Sequence, residues 1–232
     1  MRRRILASLA KSGYTAKDYV QDGLIAMWDG IENAGWGVHD DNATVWKNLI
    51  QDGNDWLISD NGSWEQYGLR GNGLGYCATG ATLGRYMTIE FLFKPNIVGN
   101  QKCLMMTGKN NYDGMQYFYM AKENFSFGRS YCFGEAKLGK VYHLAYENTT
   151  LTENGAYKGF INSVLIDDSK YSSGDYMAAG SGVPAIFGRI GGDRNLDGLA
   201  MCIRAYNRQL SDSEIAENYA IDKARFNLPD AA

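Results

Sequence analysis

The stretch Tyr86-Met87-Thr88-Ile89-Glu90-Phe91-Leu92-Phe93-Lys94-Pro95 decides the fold class. Met87, Ile89, Phe91 and Phe93 alternate with Thr88, Glu90 and Leu92. A period of two sends the first set to one face of a β-strand, toward a core. Pro95 closes the strand, because proline has no N–H to give to a ladder. Glu90, a lone carboxylate on this strand, is expected on a solvated outer face.

Working outward, short apolar or alternating runs recur at 24–28, 102–107, 115–121, 125–128, 141–147, 156–166, 185–189 and 199–206. Clusters of Gly, Asn and Asp separate them, and the chain holds 28 glycines against 3 prolines. Many short strands joined by turns predict an all-β, antiparallel two-sheet sandwich rather than an α/β fold. One helix is signalled near the C-terminus. Ser211 is an N-cap, Glu214 completes a capping box, and Ile215 and Tyr219 share a face. The helix is expected to end near Arg225, before Pro229. Residues 1–20 are basic, then polar, with a break at Gly13, and read as an N-terminal arm with a weaker helix. Residues 21–232 read as one domain.

Length and composition fit one domain with a sizeable core: 232 residues, 45% hydrophobic and 21% charged. A net charge of -3 argues against a nucleic-acid partner, which calls for a basic face. No run approaches the ~20 apolar residues of a membrane span. The apolar run after Arg2-Arg3-Arg4 is cut short by Lys11, below the ~7–15 residues of a signal-peptide core. Cys77, Cys103, Cys132 and Cys202 lie far apart without a CxxC pair, and are expected as buried free thiols.

The segment 197–215, DGLAMCIRAYNRQLSDSEI, resembles the closing strand and helix opening of laminin-G-like domains, with their "V/I-R-x-Y-N-R-x-L" and "S-x-x-E-I" runs. Residues 86–95 resemble the family's "F-T-x-x-x-W-x-K-P" strand, with Phe93 where Trp is common. Residues 141–146 and 157–166 resemble its hairpin. Val45-Trp46-Lys47-Asn48-Leu49 with Gly53-Asn54-Asp55 resembles its early turn. The likeness covers about residues 22–228. It departs at Asn48, at Asn162-Ser163 and at Ala200-Met201, which weakens transfer of the family's calcium site. The resemblance implies a concanavalin A-like jelly roll that binds glycans, proteins or a structural Ca2+. The "W-D-G-I-E-N-A-G" start is similar to versions in gut bacteria and their phages. That implies an outward-facing place on a cell surface or virion, with arm 1–20 joining virion or homo-oligomeric partners.

The residues offer little for catalysis. Only His39 and His143 are histidines. His143 is expected in packing or a hydrogen bond, while His39, beside Asp40 and Asp41, is a candidate ligand-binding residue. No E-x-D-x-x-E strand supplies the carboxylate pair of a glycoside hydrolase. An enzyme is therefore not expected, and no cofactor is required. Asp193-Arg194-Asn195-Leu196-Asp197-Gly198 mimics half of an EF-hand, but Arg204 stands where the closing Glu belongs. Asp193, Asn195 and Asp197 remain candidates for a looser calcium site. All five tryptophans fall within 28–64. Trp28, Trp46 and Trp56 lie in apolar runs and are expected in the core. Trp36, between Gly35 and Gly37, is expected to be exposed. Sugar C–H faces stack on flat rings, so Trp36, His39, Tyr112, Asp113 and Tyr117 form the candidate ligand surface. The expected function is glycan binding, with a structural role in a particle or surface assembly as the alternative.

Overall fold

The computed structural model describes residues 13–81, 87–97, 102–107, 116–121, 124–127, 131–148, 157–167, 185–188 and 194–229. In chain order, the strands are β1 (Leu24–Asp29), β2 (Val45–Trp46), β3 (Trp56–Ile58), β4 (Gly62–Glu65), β5 (Gly68–Asn72), β6 (Ala78–Thr79), β7 (Thr88–Pro95) and β8 (Lys102–Thr107). They continue as β9 (Gln116–Ala121), β10 (Asn124–Phe127), β11 (Tyr131–Glu135), β12 (Tyr142–Asn148), β13 (Tyr157–Ile161), β14 (Val164–Asp167), β15 (Ala185–Ile186) and β16 (Asp197–Tyr206). The helix α1 spans Asp212–Arg225.

Two antiparallel sheets form. One runs β14-β13-β12-β7-β16-β5-β4, with β1 also on β16; the other runs β11-β10-β9-β8-β15-β6-β3-β2. The strand β16 is the hinge of the first sheet. It pairs with β7 along one side, while its first residues pair with β5 and its last with β1. Its register on β7 shifts between Ala200 and Cys202, a bulge that lets one strand serve three partners. The all-β, two-sheet sandwich with one C-terminal helix is what the sequence predicts.

The core between the sheets takes Ile89, Phe91 and Phe93 from β7, as period two requires. Trp28, Trp46 and Trp56 are fully buried there, with Trp28 and Trp56 rings 5.5 Å apart. Burying one such large apolar side chain contributes about 1.5–3 kcal/mol.

The other face of the first sheet is also covered, which the sequence reading did not anticipate. Helix α1 lays Ile215, Asn218, Ile221, Asp222 and Arg225 on it. The capping box forms: Ser211 N–H donates to Glu214 Oε2 at 2.7 Å, and Glu214 N–H to Ser211 Oγ at 3.2 Å. Glu90 therefore points not to water but into a buried polar layer, with no solvent exposure. Arg204 Nε donates to Glu90 at 2.7 Å, Asn218 at 2.9 Å and His143 Nε2 at 3.2 Å. Arg204 also grips Asp222 through two 2.8 Å bonds. A carboxylate is tolerated beneath a helix because each oxygen accepts a hydrogen bond from a fixed donor.

Residues 1–12 of the expected arm lie outside the described residues. Residues 13–20 do not stand apart from the domain. Ala16 and Tyr19 are buried against the helix-covered face. Tyr19 OH donates to Asp222 at 2.7 Å, and Asn218 Oδ1 accepts from Val20 N–H at 3.0 Å. Here the chain forms a single 3-10 turn, Ala16–Asp18, capped by Thr15. Cys77, Cys103 and Cys202 are buried and outside any disulfide.

Candidate functional site

At the end of β1, Asp29 turns the chain: its Oδ1 accepts from Ile31 N–H at 2.9 Å and Glu32 N–H at 3.0 Å. Arg225, at the C-terminal end of α1, pairs with both Asp29 and Glu32. The Glu32 carboxylate then fixes two separate segments. Its Oε1 accepts from Ala16 N–H at 3.0 Å, and its Oε2 from Gly37 N–H at 2.8 Å. Between these anchors, Gly35-Trp36-Gly37-Val38 makes a tight turn closed by Val38 N–H to Gly35 O at 2.9 Å. Gly35 (φ 129°) and Gly37 (φ 68°) take backbone angles that side chains disfavour. The base of the loop is locked by Asn33 and Asp40, whose side-chain amide and backbone exchange bonds of 2.9 and 2.8 Å.

The loop presents Trp36, 38% exposed, and Val38, 50% exposed. The ammonium of Lys17 lies 5.3 Å from the centroid of the Trp36 ring. His39 does not face outward: Nδ1 is 3.0 Å from Ile31 O and Nε2 is 3.0 Å from Asp41 Oδ1. Its side chain is only 12% exposed, so its role here is to hold the loop. Trp46 adds a further tie, donating from Nε1 to Asp29 O at 3.0 Å.

The other sequence candidates are not all brought into view. Tyr112, Asp113 and Asp193 lie outside the described residues. Tyr117 sits on β9, and its side chain also lies outside them. Asp197 begins β16, where it pairs with Arg70 at 2.7 Å and accepts from Asn96 Nδ2 at 3.1 Å. Asn195 Oδ1 is a buried acceptor without a hydrogen-bond partner among the described residues. Among the described residues, no cluster of three or more His, Cys, Asp or Glu side chains is placed to hold a metal ion.

Sequence reasoning missed Lys17 and Glu32. Glu32 sits inside the quoted "W-D-G-I-E-N-A-G" run. Its clamp joins positions 16, 37 and 225, however, and no local spacing reveals that.

No protein-family model matches the chain, and no curated protein matches it. Solved structures do share the architecture. A Trypanosoma rangeli sialidase matches with a TM-score of 0.62 at 15% identity, covering 96% of this chain and 38% of that one. A mutant of that sialidase displaying trans-sialidase activity matches with a TM-score of 0.64 at 14% identity, covering 97% and 39%. The carbohydrate-binding module CBM40 of a Ruminococcus gnavus sialidase aligns at a TM-score of 0.45, with 16% identity over 57% of this chain. The chain thus spans about two fifths of the sialidases it matches, and at such identities the likeness shows the fold. The molecule is a two-sheet β-sandwich domain. The comparisons also overturn the expectation that enzymes be set aside, because the same sandwich is built into chains that are sialidases. Among the described residues, no helix is long and apolar enough to cross a membrane.

Proposed function

We propose that this domain is a glycan-binding module of the concanavalin A-like, laminin-G-like kind, meeting its ligand on an outward-facing surface. The observation that carries the reading is Trp36. A large flat ring stands 38% exposed on a loop tied down through Glu32, Asn33 and Asp40. Loops held by a rigid sandwich are the usual carriers of recognition. A ring fixed before binding gives up little conformational freedom when a sugar stacks on it. The sandwich shared with sialidases is in keeping with this reading.

The test is a broad glycan array probed with the purified protein and with Trp36→Ala. Binding should appear with the native chain and fall at least about tenfold in the variant, which is ~1.4 kcal/mol. The unfolding transition of the variant is recorded beside the array, so that lost binding is separated from lost folding. An array blank for the native chain sinks the reading. Calcium is varied in the same experiment. Calcium-dependent binding would support the candidate site of Asp193, Asn195 and Asp197, where an ion would compete with Arg70 for the Asp197 carboxylate. A parallel assay for cleavage of the bound glycans reads whether chemistry accompanies binding.

A further inference from the structure

We infer that the Trp36 site selects acidic glycans, with Lys17 supplying the charge that reads a carboxylate or sulfate on the sugar. The inference rests on the glycan-binding reading and adds the ligand class. Lys17 is exposed at the surface, on the short turn that Glu32 fastens through Ala16 N–H. The same carboxylate fastens the Trp36 loop through Gly37 N–H. One buried group, 7% exposed, therefore sets the ring and the ammonium in a common frame. The ammonium lies over the ring, 5.3 Å from its centroid, within reach of an anionic substituent on a sugar that meets the exposed part of the ring.

Among the described residues, the carboxylates of these two segments are engaged by other groups, which leaves the Lys17 ammonium open to a ligand. Glu32 is taken by Arg225 and two backbone N–H groups. The Asp18 carboxylate accepts from Thr15 N–H at 2.6 Å and from its hydroxyl at 2.8 Å. Asp41 faces His39, and Asp40 Oδ1 accepts from Asn42 N–H at 3.0 Å. Among the described residues, Lys17 forms no ion pair, and its ammonium lies over the Trp36 ring. An anionic substituent would meet an ammonium without having to displace a protein carboxylate. Because this contact is at the surface, its strength must fall as salt screens it.

Matched sets of one glycan test this: the neutral form, the same glycan with a carboxylate, and the same glycan with a sulfate. Affinities are measured for the native chain, Lys17→Gln, Lys17→Arg and Trp36→Ala, at low and high salt. The native chain should favour at least one acidic form over the neutral by about tenfold or more, with the preference shrinking at high salt. Lys17→Gln should bring the acidic forms down to the level of the neutral form measured on the same variant, while Lys17→Arg keeps the preference. The carboxylate and sulfate arms show which anion fits. Equal native affinity for neutral and acidic forms, or a preference that survives Lys17→Gln, overturns the proposal and leaves the Trp36 reading standing. Loss of Trp36 dependence in every form removes the reading beneath it.

Discussion

At the scale of single residues, Arg204 is the cation on which the helix-covered face depends. It is fully buried and satisfies Glu90 and Asp222 together, while its guanidinium lies 4.2 Å from the Tyr19 ring centroid. Arg204→Met would fill similar space but leave two carboxylates buried without their cation. Removing one partner of a buried pair typically costs about 3–5 kcal/mol. Arg204→Met is therefore expected to lower the urea unfolding free energy by that amount, against a total of about 5–15 kcal/mol for a typical domain. A loss below about 1 kcal/mol would mean that the layer rearranges or takes up protons. The sequence hinted at this layer only through the resemblance, where Arg204 falls in the "R-x-Y-N-R" run. Glu90 was misplaced because alternation gives two faces and cannot say that both are covered. Trp36 was legible because its flanking glycines make a strand or helix there unfavourable. Lys17 was not, since its partner is nineteen positions away and the Glu32 clamp spans more of the chain.

At the scale of elements, the strands with clear alternation were legible and the short ones were not. The strands β7, β8, β12 and β16 match their runs closely. By contrast, β2, β3 and β6 hold two or three residues each, too few to show a period. The run 156–166 reads as one strand, yet it folds as the hairpin β13–β14. Its two-residue turn is Asn162-Ser163, with φ of 52° and 64°. Positive φ at both positions is the signature of a type I′ turn, where Asn-Gly is the favoured pair. Asn at the first position fits this turn; Ser at the second hides it from a sequence reading. A left-handed backbone costs a non-glycine residue roughly 1–2 kcal/mol. Glycine also gains freedom in the unfolded chain, which offsets part of the relief. Ser163→Gly is thus expected to raise the unfolding free energy by about 0.5–1 kcal/mol. A decrease on thermal or urea unfolding would show that Ser163 holds the turn by something other than its backbone angle.

At the scale of the whole molecule, carboxyl groups held by hydrogen bonds or by burial give the pH profile two limbs. Glu214 is held down to about 2 from an ordinary 4.5, chiefly by the hydrogen bonds of Arg208, with Ser211 assisting. Burial works to raise Glu90, but Arg204 and His143 together outweigh it, and its value also lies below the ordinary one. Groups depressed in the folded state stabilise it above their unfolded value. That stability is lost as pH falls from about 4.5 toward 2. Glu147 goes the other way. Burial beneath the entry to α1 pushes it up from 4.5 to about 7, although Lys158 and the Leu210 N–H pull it back in part. Between those values the folded chain keeps a proton that the unfolded chain has released, so stability falls as pH rises through the window. The contributions of these groups to stability are therefore both present only near pH 4.5. Glu147→Gln keeps an acceptor for Leu210 N–H and Thr88 but has no proton to lose. Unfolding free energies measured from pH 3 to 8 should show the decline above about 4.5 flattened in this variant, with the acid limb intact. If the decline persists unchanged in Glu147→Gln, the proton release lies elsewhere in the molecule, and the entry to α1 is not the pH-sensitive joint of the fold.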